Sequence, residues 1–277
     1  MVALLLFTFV LAIYLQTFGA VFYSIDEDIY LRTTQSLVER GTFAITPIEY
    51  SPQFSVARGL DGQMYANRGP GFPIVAVPFY LLGDALASLG SPHTAPTRDG
   101  IEDPTVFTLS LTLANALIVA ATVALLFVTL KRLGYGRPAS TAAALLLAFG
   151  TMAWSYASKS FFAEPLLALC LLGAFYCVLR YRQGSSLLML LIAGALVGWG
   201  MLTKVTAFAL VPWLAAYAVW PDKGWHFRWQ QVLTRLAWLA AGVVPFVVAW
   251  MTFNYLRFGD ILTTGYELEG GVQSVVT

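Results

Sequence analysis

Three consecutive acidic residues, Asp26, Glu27 and Asp28, follow the apolar run 2–22 by only a few positions. Because a carboxylate is costly in hydrocarbon, this cluster should lie where the first membrane helix emerges into water. A carboxylate at that depth could accept a proton from a hydroxyl group that attacks a lipid-linked substrate. Alternatively, the acids could cap the helix that follows, since negative charge is favoured at a helix N-terminus.

Further charged side chains fall at the ends of later apolar runs. Glu164 precedes Pro165 at the start of one run, and Lys204 lies in the tight link between two others. Glu164 could bind substrate hydroxyls, or it could be a solvated acid at a helix N-terminus. Lys204 could hold a phosphate, or it could extend to the lipid headgroups at the end of a membrane span.

Three arginines could bind a phosphate through two parallel hydrogen bonds, which the planar guanidinium group allows. They are Arg58, Arg68 and Arg257. Arg58 and Arg68 lie in a segment rich in Pro and Gly, and Arg257 follows a long apolar run. Each could instead be an ordinary cation that contacts anionic lipid.

Composition identifies the class of protein. Hydrophobic residues make up 58% of the chain, charged residues make up 11%, and the mean hydropathy is +0.71. Soluble domains carry about 25% charged residues, so we expect an integral membrane protein. A formal net charge of +1, with no run rich in Lys and Arg, gives no indication of a nucleic-acid partner.

Seven apolar stretches are long enough, or nearly so, to cross a hydrocarbon core of about 30 Å. They are 2–22, 105–130, 139–156, 161–181, 187–203, 205–220 and 236–256. An eighth stretch, 72–90, contains Pro73, Pro78 and Asp84, which predicts a re-entrant or interfacial segment. The sequence therefore predicts an all-α polytopic membrane protein with a large first loop, 23–104, that carries interfacial helices.

Basic residues predict how these spans are oriented, because Lys and Arg are enriched in cytoplasmic loops. Three links carry such residues, namely Lys131, Arg132 and Arg137, then Arg180 and Arg182, then Lys223, Arg228 and Arg235. If each of the seven stretches crosses once, the N-terminus is cytoplasmic and loop 23–104 is external. The acids and cations described above then converge at the external face.

Several different short motifs follow one another along almost the whole chain. They are Ser24-Ile25-Asp26-Glu27 with Tyr30, Asn67-Arg68-Gly69-Pro70-Gly71-Phe72-Pro73, Phe162-Ala163-Glu164-Pro165, Thr203-Lys204, and Asn254-Tyr255-Leu256-Arg257-Phe258-Gly259 with Gly265-Tyr266. This order resembles the GT-C glycosyltransferases, in the branch of the protein O-mannosyltransferases and the bacterial aminoarabinose transferase. Members of that family usually run longer, so we expect residues 1–277 to be an N-terminal fragment that lacks a C-terminal part.

The resemblance implies a GT-C-like bundle in the plasma membrane that transfers a hexose or pentose from a polyprenyl-phosphate carrier. The acceptor would be a hydroxyl of a protein, lipid or glycan at the external face. Asp26 would be the catalytic base, and Glu27 would orient the acceptor or tune Asp26. Glu164 and Tyr30 would bind acceptor or sugar hydroxyls.

The departing phosphate would be held by Lys204 and by an arginine, which is Arg58, Arg68 or Arg257. The sequence has no His or Cys spacing typical of a metal site, although its carboxylates could hold a divalent ion. Two other functions remain open, namely a lipid or sugar transporter or flippase, and a non-catalytic transferase-like assembly subunit. Transport is disfavoured because the apolar runs are nearly free of charge.

Overall fold

The computed structural model describes residues 1–19, 22, 24–45, 55–90, 94–96, 102–221 and 228–271. The described residues form ten α-helices and confirm the predicted all-α fold. The helices are α1 Val2–Gln16, α2 Ile25–Arg40, α3 Gly71–Ser88, α4 Thr105–Arg132, α5 Arg137–Phe149, α6 Ala153–Lys159, α7 Glu164–Arg182, α8 Leu188–Thr203, α9 Val211–Val219 and α10 Trp229–Phe258. Two 3₁₀ helices, Val205–Leu210 and Tyr266–Gly271, follow α8 and α10.

Five short strands lie in the segment between α2 and α4. They are β1 Ala44–Ile45, β2 Val56–Arg58, β3 Met64–Ala66, β4 Thr94–Pro96 and β5 Glu102–Pro104. The first three form an antiparallel sheet in the order β1-β3-β2, with Ala57 opposite Tyr65, and β4 pairs with β5. The three-stranded sheet packs on α2 through an apolar cluster that includes Ile29, Val56 and Ala66.

Within the described residues, four helices are long and apolar enough to cross a membrane. They are Gly71–Ser88, Phe107–Arg132, Glu164–Arg182 and Trp229–Phe258. The first corresponds to the predicted stretch 72–90 and continues through Pro78 as one helix. Its re-entrant or interfacial placement stays a prediction, as does the whole assignment of spans.

Two of the predicted apolar stretches are not continuous helices, although their apolar sequence does not indicate a break. Stretch 139–156 covers parts of α5 and α6, because α5 ends at Phe149 and the backbone of Gly150 leaves the helical conformation, with φ −101° and ψ 6°. Stretch 205–220 consists of a 3₁₀ helix followed by α9. The end of stretch 2–22 and the link residue Lys223 lie partly or wholly outside the described residues.

Helix α8 is held between α7 and α10 by close backbone contact. A Cβ atom on Gly194 of α8 would lie 2.2 Å from the Leu239 carbonyl oxygen of α10, and one on Gly242 would lie 2.2 Å from the Leu191 carbonyl oxygen. Only glycine permits such an approach, which is common between membrane helices. The contact fixes the C-terminal ends of α8 and α10 beside each other, and the candidate site lies there.

Candidate functional site

The start of α2 is fixed by Glu27. Its Oε2 atom accepts the Ser24 N–H at 2.9 Å while the Ser24 hydroxyl accepts the Glu27 N–H at 3.3 Å, which is a capping box. The Oε1 atom of Glu27 accepts the Phe161 N–H at 2.9 Å. With only 2% of its surface exposed, Glu27 joins α2 to the segment before α7. Its contacts are therefore those of a structural residue.

Asp26, one residue earlier, faces a different partner. Its Oδ1 atom lies 2.6 Å from Nη2 of Arg68 and accepts the Ser55 hydroxyl at 3.4 Å. The side chains of Arg68 and Asp26 are 14% and 30% exposed, so the ion pair is only partly buried. Nη1 of Arg68 also donates to the Tyr266 hydroxyl. Asp26 is thus held in place and remains accessible.

Two glycines place Arg68 against the end of α8. A Cβ on Gly69 would lie 2.0 Å from the Leu202 carbonyl oxygen, and one on Gly71 would lie 2.5 Å from Oγ1 of Thr203. Any larger residue at these two positions would force the segment away from α8. This close approach places Arg68 beside the C-terminal end of α8. Lys204 directly follows that end of the helix.

Lys204 occupies the break between α8 and the following 3₁₀ helix. Its backbone is extended, with φ −145° and ψ 123°, and its ammonium group donates to Oε1 of Glu164 at the start of α7. The Oε2 atom of Glu164 is buried without a hydrogen-bond partner among the described residues. This ion pair therefore leaves one carboxylate oxygen available to a ligand.

Tyr30 lies within electrostatic reach of both ion pairs. Its side chain is 1% exposed, and its hydroxyl has no hydrogen-bond partner in the described part of the chain. Burial raises the pKa of Tyr30 far above the usual value of a phenol. The positive charge of Arg68 opposes this rise, whereas the negative charges of Glu164 and Asp26 add to it. The hydroxyl is therefore protonated at neutral pH and can donate a hydrogen bond.

A cavity of about 500 Å³ opens beside the two cations. Arg68 and Lys204 both line it, and its apolar wall consists of Met201, Val205 and Trp250. Its hydroxyl and amide groups come from Asn67, Thr203, Thr206, Asn254, Thr264 and Tyr266. The lining also contains Arg257 and the carboxylate of Glu267. A volume of this size holds a small ligand, and the cations together with the polar groups suit a phosphorylated sugar.

Arg257 lines the same cavity but is occupied by the protein itself. Its Nη1 donates to the Ala66 carbonyl at 2.7 Å, its Nη2 to Oδ1 of Asn254 at 2.9 Å, and its Nε to the Phe253 carbonyl at 3.2 Å. Only 4% of its surface is exposed. Arg257 thus ties the end of α10 to β3.

Arg58 lies apart from the cavity. Its Nε donates to the Gly62 carbonyl at 3.3 Å within the hairpin turn between β2 and β3, where the side chain is exposed. The structure consequently brings Asp26, Tyr30, Arg68, Glu164 and Lys204 together. It places Glu27 and Arg257 beside them as supports and leaves Arg58 outside.

Sequence reasoning gave no role to three cavity residues, Asn67, Tyr266 and Glu267. Asn67 and Tyr266 lie inside motifs used for the resemblance, so a motif signal was present. Glu267 caps the second 3₁₀ helix by accepting the Thr264 N–H at 3.1 Å. Burial raises the pKa of the Glu267 carboxyl group. Hydrogen bonds from its own N–H and from Thr264 lower the same pKa by more, so the net shift is downward. The described residues contain no group of three or more His, Cys, Asp or Glu arranged to hold a metal ion.

The sequence model of one family, described as dolichyl-phosphate-mannose-protein mannosyltransferase, matches residues 107–252, which is slightly more than half of the chain. The matched range contains Glu164 and Lys204, begins after Asp26 and Arg68, and ends before Arg257. A search of curated proteins and a search of solved structures found no match.

Proposed function

Because the chain belongs to the dolichyl-phosphate-mannose-protein mannosyltransferase family, we propose that it transfers mannose or a related hexose to an acceptor hydroxyl at the external membrane face. The protein is an integral membrane glycosyltransferase with a polyprenyl-phosphate sugar donor. The sugar, the acceptor and the side of the membrane are the parts that we propose. A protein hydroxyl is the preferred acceptor because the family name specifies one.

One observation supports this proposal most directly. Two cations from distant parts of the chain, Arg68 and Lys204, line one cavity, and each is bonded to a carboxylate that lies outside the cavity lining. Sugar transfer from a lipid phosphate needs positive charge to hold the departing phosphate. It also needs a base to accept the proton of the attacking hydroxyl. The two ion pairs supply both kinds of group at one place.

The proposed reaction is a single displacement. The acceptor oxygen forms a bond to the anomeric carbon, the bond from that carbon to the phosphate oxygen breaks, and the electron pair leaves with the polyprenyl phosphate. The acceptor proton passes to Asp26. Arg68 has five N–H groups, so it can bind the phosphate through Nε, which has no partner among the described residues, while Nη2 stays on Asp26.

Glu164 and Tyr30 complete this arrangement. Glu164 holds the Lys204 ammonium group at the cavity and keeps Oε2 for a sugar or acceptor hydroxyl. The Tyr30 hydroxyl, which is protonated, would donate to an oxygen of the substrate. Burial of Tyr30 strengthens its electrostatic effect, because the local dielectric constant is low, whereas the Glu164 side chain is 36% exposed.

The isoprenoid chain would leave the cavity along its apolar wall. Val205 lines the cavity and is 37% exposed, and Phe208 on the same 3₁₀ helix is 49% exposed. Exposed apolar side chains beside a polar cavity suit a substrate whose headgroup is polar and whose tail stays in lipid. This placement puts the reacting phosphate at headgroup depth.

The external location of the cavity is supported by the opposite end of the bundle. Lys131, Arg132, Arg180 and Arg182 lie at the C-terminal ends of α4 and α7, and Glu164 lies at the other end of α7. A basic bundle end favours the cytoplasm. The end that carries the cavity is then external.

The reaction is tested with the purified full-length protein and a panel of synthetic polyprenyl-phosphate sugars, with hydrolysis and transfer both recorded. Wild type is compared with Asp26→Asn and with Asp84→Asn, a matched control in which an exposed carboxylate of α3 is changed in the same way. We expect wild type and Asp84→Asn to transfer mannose. The Asp26→Asn variant should be about 10²- to 10⁴-fold slower, which is the typical contribution of a general base.

Full transfer by Asp26→Asn would remove the proposed base. A wild type that binds polyprenyl phosphate but transfers no sugar would instead favour a flippase or a non-catalytic subunit. The side of the membrane is tested separately with Leu60→Cys and Tyr135→Cys, whose exposed side chains lie at the two ends of the bundle. A membrane-impermeant maleimide applied from outside should label only Leu60→Cys, and labelling of only Tyr135→Cys would reverse the topology.

A further inference from the structure

Asn67 lines the cavity, and the described residues leave both polar atoms of its side chain without partners. Its side chain is 2% exposed, and neither Nδ2 nor Oδ1 has a hydrogen-bond partner in the described part of the chain. Buried amides are normally hydrogen-bonded, because a buried donor or acceptor without a partner is costly. An amide that is buried and unpaired at a cavity wall therefore indicates a missing ligand.

The backbone of Asn67, which lines the cavity, is held from two sides. Its N–H donates to the Ser55 carbonyl at 3.0 Å. On the other side Gly265 packs so closely that a Cβ added to it would lie 3.3 Å from Cα of Asn67. The sheet and the loop after α10 thus hold the residue from both sides.

Asn254 lines the same cavity, and its side-chain amide is hydrogen-bonded within the protein. Oδ1 of Asn254 accepts Nη2 of Arg257 at 2.9 Å, and Nδ2 of Asn254 donates to the Ile261 carbonyl at 3.3 Å. Both ends of that amide are used within the protein. Asn67 carries the same amide group and lines the same cavity, but neither its Nδ2 nor its Oδ1 has a hydrogen-bond partner among the described residues.

We propose that Asn67 is a sugar-recognition residue that binds one or two hydroxyls of the transferred sugar through its amide donor and acceptor. This inference rests on the proposed function and names the group that reads the sugar. A hydroxyl is both a donor and an acceptor, so it can satisfy both Nδ2 and Oδ1. A phosphate diester offers only acceptors and would leave Oδ1 unpaired, and an isoprenoid chain offers neither.

The position of Asn67 beside Arg68 fits this role. In a glycosyl phosphate the first ring carbon of the sugar is joined directly to a phosphate oxygen. If Arg68 binds the phosphate, the neighbouring residue on the same wall is within reach of the sugar ring. Phosphate and sugar would then be read by consecutive residues whose backbone is held against α8.

The inference is tested with synthetic polyprenyl-phosphate mannose and its monodeoxy analogues, each of which lacks one hydroxyl. A site built around a hydroxyl discriminates strongly against an analogue without it. We expect kcat/KM of wild type to fall at least about 10²-fold for one analogue. In Asn67→Ala, kcat/KM for the parent donor should fall about 10- to 100-fold, which is the usual effect of losing hydrogen bonds to a buried group. The variant should use the parent donor and that analogue almost equally.

The ratio between parent and analogue is compared across variants, because removing a hydroxyl also changes the intrinsic reactivity of the sugar. Asn67→Asp keeps the volume and an acceptor but loses the N–H donors, so it should lose discrimination only in part. Asn115→Ala removes a buried asparagine outside the cavity, whose Nδ2 donates to the Ser160 carbonyl at 2.9 Å. It should leave the ratio unchanged whatever it does to stability.

Three results would overturn the inference. If wild type transfers mannose and all analogues with similar kcat/KM, or if Asn67→Ala and Asn67→Asp keep the wild-type ratio, Asn67 does not read the sugar while the proposed function stands. If wild type transfers no sugar from any donor, both the proposed function and this inference are wrong. Thermal unfolding of each variant identifies any that fail because they do not fold.

Discussion

The two ends of the helix bundle both carry cations, but they bind them in different ways. At the cavity end, Arg68 bonds to Asp26 and Lys204 bonds to Glu164, so these two cations each meet a carboxylate. Arg257, which also lines the cavity, donates to carbonyl groups and to an amide. The opposite end of α7 is about 27 Å away, at 1.5 Å per residue. There, the side chain of Arg182 donates to the carbonyl oxygens of Tyr217 and Trp220, each at 2.8 Å.

Other cations at the opposite end follow the same pattern. Arg235 donates to the Ala218 carbonyl at 3.2 Å, and its guanidinium group lies 5.5 Å from the centre of the Tyr181 ring. Arg132 donates to the Tyr176 hydroxyl at 3.2 Å. These contacts satisfy helix C-termini and tyrosine rings, where positive charge is favoured. Among the contacts of the described residues, a cation bonded to a carboxylate therefore distinguishes the cavity end better than a cation alone.

The comparison is tested most strongly at Arg68. In Arg68→Gln the phosphate would lose a charged donor and Asp26 would lose its partner, so transfer should fall about 10²- to 10³-fold. Arg68→Lys should recover only part of that loss, because an ammonium group cannot bind two oxygens in one plane. The measurement is kcat and KM for transfer from synthetic polyprenyl-phosphate mannose. Activity of Arg68→Gln within a few-fold of wild type would make the two ends equivalent.

A smaller effect is expected at Lys204. Lys204→Gln keeps a donor but loses the charge, so KM for the lipid-linked donor should rise about 10-fold to 100-fold, which corresponds to losing a charged hydrogen bond. Lys131→Gln is the matched control, because its ammonium group donates to the Tyr135 carbonyl at 2.7 Å at the other end. Equal changes in KM for the two variants would contradict the assignment of Lys204 to the cavity.

At the cavity end, the adjacent acids Glu27 and Asp26 can be compared with each other, because one should affect stability and the other transfer. Glu27→Gln can accept only one of the two N–H groups that Glu27 accepts, so the free energy of unfolding should fall by about 1–3 kcal/mol. The folded fraction should keep kcat within several-fold of wild type. Asp26→Asn should show the reverse pattern, with slow transfer and nearly unchanged stability. Thermal unfolding and transfer are measured on the same preparations, and a large kcat loss in folded Glu27→Gln would assign chemistry to both acids.

The sequence predicted the features that depend on local pattern. Each apolar run is long enough, or nearly so, to cross the membrane once, so successive runs end at opposite sides of the bundle. This pattern places Glu164 and Lys204 at one end of neighbouring helices, and the structure brings them into contact. The integral membrane class and the glycosyltransferase family are confirmed. The membrane class and the placement of these two residues need only helix geometry and the cost of burying charge, so no distant contact has to be known. The family was inferred instead from a resemblance carried by short motifs.

Other features depend on contacts that the sequence does not reveal. Asp26 and Glu27 are adjacent acids, and they differ because the Phe161 N–H, far along the chain, meets Glu27. Arg58 and Arg68 share one loop. Arg58 is exposed in the β2–β3 hairpin, whereas the close approach of Gly69 and Gly71 to the end of α8 places Arg68 at the cavity. Gly150 interrupts an apolar run whose composition continues across it. Each outcome is decided by tertiary packing rather than by residue type.

The smallest effect is expected at Arg235, which is the counterpart of Arg68 at the opposite end. Arg235→Gln removes a charged donor from the end of α9 and a cation from the Tyr181 ring, so the free energy of unfolding should fall by about 0.5–1.5 kcal/mol. Transfer by the folded protein should stay within about twofold of wild type, because a loss of stability of that size leaves almost all of the protein folded. The measurement is the same pair of assays that is used for Arg68→Gln. If Arg235→Gln lowers transfer as much as Arg68→Gln does, the carboxylates at the cavity end have no special role, since arginines that meet carboxylates and arginines that meet carbonyl groups would then be equally important for the reaction.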